Sequence, residues 1–241
     1  MRHVLSVAVA ATALFVACGD SKPPTSPTPQ PRLSHTRFLA FGDSFTAGEV
    51  TNPATSASTI GKLMVVPSAS YPSVLQSRLH ATYPSQVTTI SVTNAGEPSE
   101  RILDGLQRFP GAYDATRPEV VLIMEGVNGL PQVGPDISTG VMRIMVQYAK
   151  DGNSRVFVGS MIPQVAARPR GTTPVNELLA YNATLQLMSQ QEGVTYVDLY
   201  NQMLPDAATL IGADGLHPNE AGYRRMAELF LAAIRAGLEV P

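Results

Sequence analysis

A serine and a histidine stand in this chain in settings where each can serve nucleophilic chemistry. The segment Phe41-Gly42-Asp43-Ser44-Phe45-Thr46-Ala47-Gly48 follows an apolar run and reads as a strand turning tightly into a helix. A serine on such a turn exposes its hydroxyl and can aim its backbone N–H at a bound oxyanion. Taken alone, Gly-Asp-Ser is more often an ordinary turn or helix cap. Near the other end, Asp214-Gly215-Leu216-His217-Pro218-Asn219 leads into a last helix. Asp214 and His217 across a turn can bond carboxylate to imidazole Nδ1, leaving Nε2 free to take a proton from a serine. By itself that segment reads better as a capped helix start with a surface histidine.

Other reactive side chains are sparse. Cys18 is the only cysteine and precedes the folded part, so thiol nucleophiles and thiolate metal sites are excluded there. His35, His80 and His217 are too widely spaced for a zinc site, and no metal or cofactor is expected. His35 and His80 read as exposed. Asp43 reads as a brace for its turn. Glu97 and Glu125 also flank the site and leave a carboxylate pair for glycoside chemistry as a minor alternative; single glutamates at strand ends are usually solvated or bonded to loop amides. Tyr181-Asn182 reads as packing and surface.

The elements that must position these residues follow from the apolar pattern. Arg37–Phe41, Val87–Val92, Glu119–Met124, Arg155–Ser160 and Val194–Leu199 read as strands, several of them nearly continuously apolar, as parallel strands covered on both faces are. Between them Tyr71–Ala81, Pro98–Arg108, Asp136–Lys150, Pro174–Gln191 and Pro218–Ala236 read as helices, three with proline in the first turn. The alternation predicts one α/β domain with a doubly wound parallel sheet, and ligands bind beyond the carboxyl ends of such strands. Long connections at 49–70, 129–135 and 163–173 should border the site. The apolar patch Leu63-Met64-Val65-Val66, with Leu130, Met161, Ile162 and Leu216, is the candidate substrate-binding lining for an acyl group.

Together the serine and Asp-x-x-His segments resemble the GDSL, or SGNH, hydrolase family. Two more of its blocks are present in order: Val92-Thr93-Asn94-Ala95-Gly96 and Met124-Glu125-Gly126-Val127-Asn128. The resemblance covers roughly residues 36 to 236. It implies a three-layer α/β/α sandwich around a mostly parallel five-stranded sheet, flavodoxin-like in arrangement. It also implies a catalytic triad of Ser44, His217 and Asp214, with Ser44, Gly96 and Asn128 supplying the oxyanion hole. The activity implied is that of a serine esterase on short- to medium-chain acyl esters, of lysophospholipase or arylesterase type, with carbohydrate O-acetylesterase as the rival. A surface-tethered binding protein on a hydrolase fold is the rival of another class. Two positions depart from the family pattern: Gly129 stands where an aspartate is frequent, and Phe45 where leucine is commoner. The Gly-x-Ser-x-Gly elbow of α/β-hydrolases is absent.

The amino terminus reads as an export signal. Met1-Arg2-His3 is basic and Val4 to Val16 is apolar apart from Ser6 and Thr12, too short to span a bilayer, which takes about 20 residues. Phe15-Val16-Ala17-Cys18-Gly19 resembles a bacterial lipobox, which implies a signal over 1–17 and lipidation at Cys18. An ordinary signal peptide is the alternative, and Asp20 is not placed as an inner-membrane retention signal would be. Residues 18–35 then form a lipidated, Pro-rich tether, and 36–241 the hydrolase domain. The 241 residues carry a net charge of −2 with 44% hydrophobic and no Trp, which leaves no basic stripe or stacking platform for nucleic acid. The expected partner is a small-molecule, lipid or glycan ester, met by a monomer held at the bacterial cell envelope by its lipid anchor alone.

Overall fold

The computed structural model describes residues 30–52 and 62–241. The signal segment, Cys18 and the tether up to residue 29 lie outside the described residues, as does 53–61 of the first long connection. In chain order the elements are β1 (Arg32–Leu33), β2 (Arg37–Gly42), α1 (Ser44–Ala47), β3 (Glu49–Thr51), β4 (Leu63–Val65), α2 (Tyr71–Thr82), β5 (Ser91–Gly96) and α3 (Ile102–Thr116). They continue with β6 (Val120–Met124), α4 (Leu130–Asp151), β7 (Arg155–Gly159), α5 (Val175–Glu192), β8 (Thr195–Val197), α6 (Leu199–Met203), α7 (Ala207–Leu210), α8 (Glu220–Leu238) and β9 (Glu239–Val240).

Five strands form one parallel sheet in the order β5-β2-β6-β7-β8. Helices α3, α4 and α5 pack on one another along one side, and α2 packs on α8 along the other. This is the three-layer α/β/α architecture with the flavodoxin-like strand order. The chain reverses direction about β2, so the crevice between the carboxyl ends of β2 and β6 is the topological switch point. Every residue of β6, Val-Val-Leu-Ile-Met, is buried, since helices cover both faces. In α8, Tyr223, Met226, Ala227, Phe230, Ile234 and Leu238 keep helical spacing and are all buried. Each large side chain of that stripe stabilises the fold by about 1.5–3 kcal/mol relative to exposure.

Three elements differ from the sequence pattern. The second sheet strand is Ser91–Gly96 rather than Val87–Val92. The N–H groups of Thr89 and Ile90 are held by the Gln86 carbonyl at 2.9 Å, so that stretch is a turn, and pairing begins at Arg37 opposite Ser91. As an edge strand, β5 needs no continuous apolar run. Helix α3 runs past Pro110 to Thr116, because one missing hydrogen bond costs less than exposing Phe109 and Tyr113, both buried. Helical structure also begins at Leu130, ahead of Asp136, with a break at Gly134 (φ 79°) that separates a first turn from the main helix.

The fold also starts ahead of residue 36. Strand β1 pairs antiparallel with β9, and Leu33 is buried. The Gln86 side chain accepts from Leu33 N at 2.7 Å and donates to Leu33 O at 3.0 Å. No helix among the described residues is long and apolar enough to cross a membrane.

Candidate active site

Ser44 is held by backbone geometry. At Gly42 a Cβ would collide with the Met124 carbonyl oxygen, so β2 can lie against β6 at its end only with glycine there. Asp43 caps the single-turn helix α1: its Oδ1 accepts from Phe45 N at 3.0 Å, and its carbonyl accepts from Thr46 N and Ala47 N, both at 3.0 Å. Gly48, in the left-handed region at φ 90°, ends the turn. Ser44 therefore occupies the first helical position, where backbone N–H groups have no intrahelical acceptor.

His217 arrives from the far end of the chain on a loop folded around Asp214. Asp214 Oδ1 accepts from Leu216 N and His217 N, each at 3.1 Å, and Oδ2 lies 2.6 Å from His217 Nδ1. Nε2 then points at Ser44 Oγ, 3.0 Å away. Arg168 steadies the loop by donating to the carbonyls of Ile211 (2.6 Å) and Gly212 (3.0 Å), and Arg170 N donates to the Asp214 carbonyl. The Phe45 ring meets the imidazole edge-on at 5.8 Å. Both Ser44 and His217 are buried.

A second carboxylate reaches the imidazole. Glu49 Oε2 lies 3.3 Å from His217 Nε2. Burial works to depress the imidazole pKa, but the hydrogen bonds and charges of Asp214 and Glu49 outweigh it and push His217 up to about 9. Burial likewise acts to raise Asp214, and its bond to His217 reverses this, holding the carboxyl below its usual range.

Gly96 and Asn128 come to the same end of the sheet. Gly96 packs so closely on α1 that a Cβ would collide with Ala47 N and Thr46 C. Its N–H donates to Asn94 Oδ1 at 2.9 Å, and Asn94 Nδ2 donates to Ser70 Oγ at 3.3 Å. One amide N–H of Asn128 donates to the Glu100 carbonyl at 2.9 Å. Both oxyanion-hole candidates thus have a protein acceptor in this conformation, and Asn128 keeps a second amide N–H.

Behind the turn lies a buried acidic group. Glu125 is fully buried rather than solvated; its Oε1 accepts from Gly126 N at 3.0 Å, while Oε2 has no partner. Burial, then the charges of Asp43 and Glu100, hold its carboxyl well above the usual range. Asp43 is pushed up to about 7, chiefly by burial. Glu100 is paired with Arg108, whose two nitrogens reach it at 2.7 and 2.6 Å while the guanidinium covers the Phe41 ring. Among the described residues no group of three or more His, Cys, Asp or Glu is arranged to hold a metal ion.

Leu130, Met161 and Ile162 are packed into the apolar core, and Leu216 is half-buried against it. In this conformation the first three offer a ligand no open surface. Met64 and Val65, by contrast, are exposed on β4. A cavity of about 590 Å³ opens beside the Asp214 loop, bordered by Val50, Thr51, Arg168, Gly212 and Ala213.

Sequence reasoning does not reach Glu49, Arg168 and Arg170, and the pair Tyr181-Asn182, read as packing and surface, is buried at both positions. Asn182 is buried and clamps the Met161 backbone, accepting from its N–H at 2.8 Å and donating to its carbonyl at 3.0 Å. Tyr181 Oη donates to the Glu125 carbonyl at 2.9 Å. An Asn in the middle of a helix, on the same face as Leu178 and Leu185, was the available signal. For Glu49 there is none, because its approach to His217 joins residues from opposite ends of the chain.

Residues 40–225 match the GDSL-like lipase/acylhydrolase family. An acetylxylan esterase of Xylanibacter ruminicola is 28% identical over 142 residues, which are 50% of this chain and 29% of that protein. The chain thus matches less than a third of that curated relative's length. A lipase/acylhydrolase from Enterococcus faecalis superposes with a TM-score of 0.67 at 22% identity, covering 84% of this chain and 97% of that one. A catalytic mutant of an acetylxylan esterase from Geobacillus stearothermophilus does so with a TM-score of 0.64 at 22% identity, covering 84% and 94%. These likenesses establish the fold.

Proposed function

The chain belongs to the GDSL-like lipase/acylhydrolase family, and from that premise we propose that it hydrolyses carboxylic esters with Ser44 as nucleophile, His217 as base and Asp214 as its orienting acid. The observation that carries this reading is the continuous relay from Asp214 Oδ2 to His217 Nδ1 (2.6 Å) and from Nε2 to Ser44 Oγ (3.0 Å). Ser44 Oγ attacks the ester carbonyl as neutral His217 Nε2 takes its proton. Asp214 holds the tautomer and stabilises the imidazolium. The oxyanion is met by the Ser44 N–H and the free amide N–H of Asn128, and by the Gly96 N–H once Asn94 releases it. Collapse expels the alcohol, which takes the proton from His217. Water, deprotonated by the same nitrogen, then frees the acid and restores Ser44.

Small acyl groups suit the site better than long ones. Leu130, Met161 and Ile162, closed into the core, remove that part of the acyl lining read from sequence, which favours acetyl over medium-chain esters. The name of the Xylanibacter relative supports a sugar acetate as the natural substrate class. The amino-terminal pattern supports export and tethering through Cys18 to the cell envelope.

Initial rates on a p-nitrophenyl ester series from acetyl to decanoyl, and on acetylated xylo-oligosaccharides, test the reading, with Ser44→Ala as control. Acetyl-selective hydrolysis that disappears in the control is expected, as is fluorophosphonate labelling of Ser44. Equal turnover by Ser44→Ala would sink the proposal, and absence of both labelling and turnover would point to a binding protein.

A further inference from the structure

For Nε2 of His217 to accept the Ser44 proton it must first carry none. Two acceptors face that nitrogen: Ser44 Oγ at 3.0 Å and Glu49 Oε2 at 3.3 Å. Nδ1 is already committed to Asp214. Glu49 is not a drifting surface glutamate. Its side chain is only 13% exposed. Its carbonyl accepts from Tyr223 Oη at 2.7 Å, it follows the left-handed Gly48 that ends the Ser44 helix, and it pairs with Val65 across β3 and β4.

On the reading that His217 is the base, we propose that Glu49 is a positioning residue: its carboxylate competes with Ser44 for the Nε2 proton and sets the pH at which the base is free to act. With Asp214 on one nitrogen and Glu49 on the other, a protonated imidazole has an anionic partner at each end. The other charged or titratable groups facing this pair are Asp43 at the start of α1, Arg170, whose Nε lies 4.0 Å from Asp214 Oδ2, and Tyr223 from α8. Arg170 stands on the Asp214 side, Asp43 adds a charge that His217 feels, and Glu49 is the carboxylate in direct reach of Nε2.

The direction is determined by the sign of the charge. An anion beside Nε2 favours the imidazolium, so the neutral base accumulates only as pH rises through the value near 9 to which His217 is pushed. Turnover should therefore climb along an alkaline limb rather than through the ordinary histidine range. Neutralising the carboxylate as Glu49→Gln should move that limb toward lower pH by about one unit or more, about tenfold in the fraction of free base at a given pH below it. Glu49→Asp, which keeps the charge on a shorter stem, should fall between.

The experiment is a pair of titrations on the full chain, wild type, Glu49→Gln and Glu49→Asp. The His217 imidazole is followed by NMR, and kcat/KM for p-nitrophenyl acetate is followed against pH. Parallel downward shifts in Glu49→Gln, partly restored in Glu49→Asp, are expected. An imidazole titration unmoved by Glu49→Gln overturns the inference, even where Ser44-dependent hydrolysis persists. A shifted imidazole without any Ser44-dependent hydrolysis overturns the esterase reading instead, and leaves the Glu49–His217 pairing standing.

Discussion

Asp43 caps α1 with one oxygen while the other is buried without a partner. Its pKa is raised from 3.8 to about 7, so the folded state binds a proton that the unfolded state has released across that window. Stability from this group is therefore present at acid pH and lost as pH climbs through 7. Asp43→Asn keeps an acceptor for Phe45 N–H and removes the charge. Its melting temperature should match wild type near pH 4 and exceed it above pH 7, by on the order of 1–4 kcal/mol in stability, read from thermal scans across pH. Asn128 is the other residue where chemistry and packing meet. On the proposed mechanism its amide meets the oxyanion, so losing it should lower kcat by about 10² to 10³ with little change in KM. Steady-state kinetics of Asn128→Ala check this; a change confined to KM would refer the residue to ground-state binding.

Close approach between elements fixes the turn that carries Ser44. Strand β5 brings Gly96 onto the backbone of α1, the helix that begins with Ser44. Gly96→Ala should push α1 away, costing about 1–3 kcal/mol of stability together with most of the activity. The paired control is Gly140→Ala: it lies in α4, its Cβ would meet nothing within 4 Å, and it should stabilise by about 0.5–1 kcal/mol. Urea unfolding and kcat measured on both variants separate collision from a general intolerance of alanine. The pattern of β6 and α8 was legible because each buries a continuous or helically spaced apolar set. Edge strand β5 lies four residues beyond the apolar run for the opposite reason: its residues, Ser-Val-Thr-Asn-Ala-Gly, are bounded by pairing to β2 and not by burial. Similarly, Pro110 signals an end to α3 locally, yet packing of Phe109 and Tyr113 carries the helix through it.

At the scale of the molecule, the two chain ends of the folded part are stapled together. Leu33 is buried, Ser34 N donates to the Leu238 carbonyl at 2.9 Å, and Tyr83, Arg235 and Glu239 join the same corner. A chain beginning at residue 36 should consequently unfold at lower urea than one beginning at residue 30, and Leu33→Ala should lose about 2–5 kcal/mol; equal midpoints would show the staple to be ornamental. The layered α/β class, the Ser44 turn and the Asp214–His217 step are legible in the bare sequence, because each rests on local periodicity or on neighbours within a few residues. That sequence also carries Gly96 and Asn128 as blocks in order. It took the three-dimensional packing to show that Leu130, Met161 and Ile162 are core, that Asn94 and Glu100 accept from Gly96 and Asn128, and that Glu49 stands beside His217 Nε2. Those facts depend on atoms brought together from distant parts of the chain, and the direction of a side chain at such a meeting is set by packing that no local pattern encodes.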